Sequence, residues 1–344
     1  GEGPVALYVV GDRSRIHVAG FLRERMPVLF FWLARFWNEI RTRRVRKLSL
    51  AGALLISILV SCRRDNPGPA TSVSQATTPR DDYGRARSFE TAPQRVVSLN
   101  PTTTETIFAI GAGSRLIGRS HWDEWPAAAS AVPDMGNGIG VNVERVVAAH
   151  PDLVILYASE DNRAAAARLE SSGIRTLSLR IDRIADFDRA ILLLGRVLGD
   201  SAQATYVKDT VSATLQRVAR ATSTLHHPTV VWPLIDASPM VVGGGSFMNE
   251  LLNVAGARNI YAGLAQPSPL VAIEDVAAKN PDFVIRGGEG GSVTPLGGVW
   301  RAVPAVALGH VIRVPLTLVL RPSVQMGSAA TALARALHPT VVLP

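Results

Sequence analysis

The sequence predicts an α/β protein of two similar α/β lobes with mostly parallel central sheets, joined by one long rigid helix. Three observations predict it. A pattern running from Val143 to Ile155 returns from Ile273 to Ile285, 130 residues further on. Each copy reads as a short helix with apolar residues at helical spacing, a proline stop, then an aspartate and a β-branched run typical of a buried strand. Each half also opens with an apolar strand, a loop and an amphipathic helix: VVSLNPTTTETIFAIGAG in the first, VVWPLIDASPMVVGGGSFMNELLNVAGA in the second. Strands alternating with helices imply parallel sheets. Between the halves, Ser201 to Ser223 has no internal Gly or Pro and offers Asp200 or Ser201 as N-cap. Some twenty residues of helix span on the order of 30 Å, a strut rather than a hinge, so the lobes are expected to move little against each other.

Taken in order, the elements begin with a targeting device. Of the formal charge of +8, residues 1–61 hold +6, from ten Lys/Arg against four Asp/Glu. The remaining body is nearly neutral and has no basic stripe, which argues against nucleic acid as a partner. From Arg41 the chain reads RTRRVRK, then an apolar run from Leu48 to Val60, then Ser61 and Cys62, the single cysteine. A basic flank, a short apolar run and a small residue describe a secretory signal. The run is shorter than the roughly 20 residues a transmembrane helix needs, so a cleaved segment is expected. One thiol makes no internal disulfide. Leu59-Val60-Ser61-Cys62 resembles a bacterial lipobox, in which the cysteine takes a diacylglycerol and becomes the first residue; the alternative is a free cysteine closing a hydrophobic helix. The segment ahead of the signal reads as over-extended, with Val45 or Met26 as the start. RRDNPGPATSVSQATTPRDD after Cys62 has the composition of a disordered tether. The resulting division is 1–61 front and signal, 62–93 tether, 94–200 N-terminal lobe, 201–223 connecting helix and 224–344 C-terminal lobe.

Enzymatic signatures are absent where they would be sought. Gly243-Gly244-Gly245-Ser246 before a helix lacks the Lys-Ser/Thr of a P-loop, and Ser246 stands in no G-x-S-x-G elbow, so a tight turn is expected. The seven histidines are scattered. His121 alone is well placed for a ligand; one histidine is too few for a bare metal site, although it suits axial ligation of a haem iron or a cobalt. No resident cofactor and no metal centre are expected.

The body resembles the helical-backbone class of periplasmic binding proteins, the solute receptors of ABC importers for vitamin B12, haem and iron siderophores. The resemblance covers roughly residues 81–344. It is carried by Arg95-Val96-Val97-Ser98-Leu99-Asn100-Pro101 with Thr104-Glu105, by Gly111-Ala112-Gly113, Trp125-Pro126, Val143-Glu144, Pro151-Asp152-Leu153-Val154-Ile155, and by the Gly243 to Leu252 segment. Within the class it is similar above all to the cobalamin-binding receptors. The resemblance implies a ligand cleft between the lobes, captures without chemistry, and makes the chain a monomeric exported receptor, facing the periplasm or the cell surface and held to the membrane by its lipid.

Position by position, the resemblance places Trp122 and Tyr157 in the pocket, where flat rings give contact area against a corrin at little entropic cost. The competing reading of each is ordinary packing. Trp232, at the matching strand end of the second half, is a further candidate, and Arg321 stands where the family places a polar ligand contact. Met240 and Ser268 depart from the cobalamin pattern, where rings are expected, and leave corrinoid, haem and ferric siderophore open, with a sensor or enzyme on the same scaffold as the remaining alternative. Glu144 and Glu274, equivalent in the repeat, fall where the family docks onto arginines of the ABC permease, the partner that works with an ATPase. A glutamate in a first helical turn also simply favours the helix dipole, but its repetition in both lobes suits a pseudo-twofold receptor on a twofold permease.

Overall fold

A computed structural model describes residues 80–343, apart from 87, 236–238 and 289–295. Cys62, the apolar run before it, Met26, Val45 and the first part of the tether lie outside the described residues.

The N-terminal lobe runs β1 (Val96–Ser98), α1 (Pro101–Ala109), β2 (Leu116–Arg119), α2 (Val143–Ala148), β3 (Leu153–Tyr157), α3 (Glu160–Ser171), β4 (Arg175–Leu179) and α4 (Ile184–Leu198). Helix α5 (Ser201–Thr222) leads to the C-terminal lobe. That lobe runs β5 (Thr229–Val231), β6 (Pro233–Ile235), β7 (Met240–Val241), α6 (Phe247–Val254), β8 (Arg258–Asn259), α7 (Ile273–Lys279), β9 (Phe283–Gly287), α8 (Pro304–Ala307), β10 (Val311–Val314), α9 (Leu316–Val319) and α10 (Met326–Leu337). The sheets are ordered β2-β1-β3-β4 and β8-β5-β9-β10, parallel throughout, with β6 and β7 as a separate antiparallel pair. The order is the same in both lobes.

The repeat is visible in its detail. His150 (φ 50°) and Asn280 (φ 42°) are the left-handed residues that end α2 and α7 at matching positions. Asp152 then accepts the backbone N–H groups of Gln94 and Arg95 at 2.8 and 3.0 Å, while Asp282 accepts the N–H and hydroxyl of Thr229, both at 2.7 Å. In each lobe the Pro-Asp pair thus closes the start of the first strand onto the start of the third.

Alternation along the strands sorts their side chains between two faces. Val96, Leu153, Ile155, Val230 and Ile285 join a core that runs through α4, α5, α6 and α10 and so belongs to both lobes. Val97, Val154 and Leu156 pack with Val146 and Leu169 on the outer face of the first lobe, and Val231 and Val284 with Val276 and Trp300 on that of the second. Helix α5 buries Ala204, Val211, Leu215, Val218 and Thr222 along one face and packs against α4 and α10. Gly195 on α4 permits this approach, because a Cβ there would fall on that of Ala204.

One expected boundary is corrected. The folded body begins by Arg80, inside the segment assigned to the tether. Asp81 is 4% exposed, Asp82 donates its N–H to Ser178 at 2.9 Å, and its carboxylate accepts the Arg180 N–H at 2.6 Å and Arg189 Nη2 at 2.9 Å. Arg163 stacks over the Tyr83 ring at 4.4 Å and Arg85 pairs with Glu170 at 2.5 Å. Charged, aperiodic composition read as linker; its charges are matched by arginines and backbone at the edge of β4. Among the described residues no helix is long and apolar enough to cross a membrane.

Candidate ligand-binding cleft

Both sheets reverse their strand order between the first and third strands of the lobe, and in open parallel sheets ligands bind beyond the C-terminal strand ends at such a point. Residues beyond those ends meet across the two lobes. Arg321, in the turn after α9, places Nε and Nη2 each 2.7 Å from Oε1 of Glu105 on α1, and Gln325 donates to Oε2 at 3.2 Å. Arg183, at the start of α4, meets Glu250 of α6 with Nε at 2.8 Å and Nη2 at 2.5 Å, and donates to the Gly245 carbonyl at 3.2 Å. Among the described residues, two ion pairs thus cross the seam between lobes.

The loop after β2 carries His121, Trp122 and Trp125. It is pinned from beneath by Asp123, 1% exposed, which accepts from the hydroxyls of Thr104 at 2.6 Å and Ser120 at 2.5 Å and from the Ser120 N–H at 3.0 Å. Burial pushes the Asp123 carboxyl above its ordinary range, opposed by the bonds from Ser120 and Thr104 and by the charge of Arg321. With its acid buried, the loop turns its rings outward: Trp122 is half-buried and Trp125, before a cis proline, is 38% exposed. His121 is exposed, stands edge-on to Trp122 at 4.9 Å, and holds Asp134 through Nδ1 at 2.8 Å, leaving Nε2 on the open side.

Tyr157 closes β3 with its ring half-buried and its hydroxyl on Asp182 at 2.8 Å. Desolvation drives Asp182 up to about 6, against the pull of the Tyr157 bond and of Arg180. On the opposite lobe, Met240 is half-buried on β7 and bridges to Leu270, which is 55% exposed. Leu264 is 37% exposed and Ser268 half-buried in the same loop.

Three expectations change here. Trp232 is 1% exposed and belongs to the core shared by the lobes, so its ring has no face for a ligand; it follows a β-strand whose side chains are buried on both sides. Arg321 is engaged by Glu105, so any ligand meets an ion pair there rather than a lone cation. The glycine run is also not a simple turn. Gly243 and Gly244 donate their N–H groups to Pro267 at 3.0 Å and Leu264 at 2.8 Å, and a Cβ on Gly243, Gly244 or Gly245 would fall on the carbonyls of Gln266, Ala262 or Ala265. With these donors consumed, the run anchors the rim loop 262–270.

Glu144 and Glu274 lie in the first turns of α2 and α7, both exposed. Glu144 pairs with Arg168 at 2.8 Å, and its own backbone N–H, with that arginine, holds its carboxyl below the usual range. No cluster of three or more metal-ligating side chains occurs among the described residues.

A family model described as periplasmic binding protein matches residues 96–316. A vitamin B12-binding protein of Vibrio parahaemolyticus is 25% identical over 231 residues, covering 67% of this chain and 84% of its own. One from Yersinia pestis is 27% identical over 227 residues, covering 64% and 79%. Among solved structures, a periplasmic haem-binding protein of Pseudomonas aeruginosa aligns with TM-score 0.62 at 24% identity, over 73% of this chain and 95% of its own. The periplasmic vitamin B12 binding protein of Vibrio cholerae aligns with TM-score 0.62 at 21% identity, over 71% and 96%. These relatives are binding proteins, not enzymes.

Proposed function

The chain belongs to the periplasmic binding protein family, and from that premise we propose that it is the lipid-anchored receptor of an ABC importer, capturing a corrinoid such as vitamin B12. The observation that carries the reading is the outward-facing aromatic loop. Trp122 and Trp125 stand on one lobe and Met240, Leu264 and Leu270 on the other, flat and aliphatic surfaces suited to a wide, partly apolar disc. Tyr157, fixed by Asp182, adds a third ring to the same side. The two vitamin B12-binding relatives support the same choice.

A second reading, a haem receptor, is favoured by one feature: Asp134 orients the His121 ring and leaves Nε2 for an iron, as carboxylates orient metal-ligating histidines. A ferric siderophore would need neither feature. In the proposal, Glu144 and Glu274 meet basic residues of the permease, one per lobe, and Cys62 carries the lipid.

Titration of the purified protein with cobalamin, haemin and a ferric siderophore, followed by tryptophan quenching, tests the reading. Saturable cobalamin binding, weakened by roughly tenfold or more in Trp122→Ala as for a buried aromatic anchor, is expected. Haemin binding that depends on His121 would install the second reading in its place. Loss of membrane retention in Cys62→Ala is the corresponding test of the anchor.

A further inference from the structure

At the seam, the guanidinium of Arg321 pairs with a carboxylate of the opposite lobe. Glu105 is wholly buried and takes two of the five N–H donors of the guanidinium on one oxygen, at 2.7 Å each. Asp123, 1% exposed, lies close enough to feel the arginine's charge. Arg183, which also forms an ion pair across the seam, is matched in the same way by Glu250. An arginine in a dry cleft is ordinarily an anion receptor, through bidentate bonds to a carboxylate or phosphate. Here the protein supplies that carboxylate itself.

A ligand bringing a free carboxylate to Arg321 would also bring it against Glu105. At an effective dielectric of about 20, the repulsion from Glu105 at about 6 Å offsets most of the attraction that Arg321 would give such a carboxylate, and the cost of desolvating its charge is then left uncompensated. An amide carries no such penalty, and the remaining N–H donors of Arg321 suit its carbonyl. We infer that Glu105 is a specificity-determining residue: by neutralising Arg321 it makes the cleft select a neutral, amide-rimmed disc over one that carries free carboxylates. The inference rests on the corrinoid reading and sharpens it, since corrinoids are rimmed by amides and haem by propionates.

Calorimetric titrations of the native protein and of Glu105→Gln test it, with three ligands: cyanocobalamin, its monocarboxylic acid in which one propionamide is hydrolysed, and haemin. The native protein is expected to prefer cyanocobalamin over the monocarboxylic acid by roughly tenfold or more, and Glu105→Gln, which keeps an acceptor but loses the charge, to narrow that gap at least about fivefold. An equal preference in native protein and variant overturns the inference. So does a native protein that takes the carboxylic acid as readily as the amide, a comparison that stands even where the variant does not fold. Native binding of haemin in preference to cyanocobalamin overturns both the inference and the corrinoid reading, whereas absence of binding by all three overturns the corrinoid reading and the inference that rests on it.

Discussion

At Tyr157 the hydroxyl donates to a carboxylate, Asp182, that pays for its position in proton affinity. The folded chain holds the Asp182 proton up to about pH 6, against an ordinary value of 3.8, because desolvation disfavours the charge. Between those values the native state binds more protons than the unfolded one, so this residue's contribution to stability falls as pH rises through the window and levels off above it. Asp182→Asn keeps the acceptor for Tyr157 and removes the charge. The variant is expected to be more stable than the native protein at pH 7.5, on the order of 1–3 kcal/mol, with the difference shrinking toward pH 4; denaturant unfolding at the two pH values checks this. A difference independent of pH would place the Asp182 charge in solvent. Residues of this kind were not legible in the sequence. Asp123, Asp134 and Asp182 owe their roles to partners that only folding brings near, and Trp232 shows the converse, a ring at a promising strand end that is needed for packing.

At the scale of elements, the glycine run and the rim loop form one unit. Gly244→Ala would drive a methyl group onto the Ala262 carbonyl while the Gly244 N–H is held by Leu264. Overpacking against backbone that cannot swing aside costs about 1–3 kcal/mol, and the displaced loop carries Leu264 and Leu270. The expected result is a lower melting temperature together with weaker ligand binding; unchanged values of both would mean that the loop adjusts freely. The repeat and the long helix were legible because apolar periodicity and a Pro-Asp stop are local signals, written into every residue of Val143–Ile155 and Ser201–Thr222. The strap at 80–86 was not, since its carboxylates fold through charge and backbone pairing rather than through burial of apolar surface. The glycine run was legible as a constraint but not as to its cause, which is the approach of a loop some twenty residues further on.

For the molecule as a whole, the decisive feature is a core shared by both lobes. Helices α4, α5, α6 and α10 pack side chains from the two sheets into one cluster, and the Arg321–Glu105 and Arg183–Glu250 pairs cross the same seam. A large hinge opening would have to break all of these. The radius of gyration measured by small-angle scattering is therefore expected to change by less than about 1 Å on ligand binding, in contrast to hinge-closing receptors; a larger contraction would show that the seam opens.

As proposed, this cleft captures one corrinoid per chain and returns it unaltered. Equilibrium dialysis against cyanocobalamin, with the recovered ligand compared by mass and absorption spectrum before and after, tests it most directly. Saturation at one ligand per chain is expected, with micromolar or tighter affinity and an unchanged ligand. Absence of binding, or a ligand recovered in altered form, would contradict it.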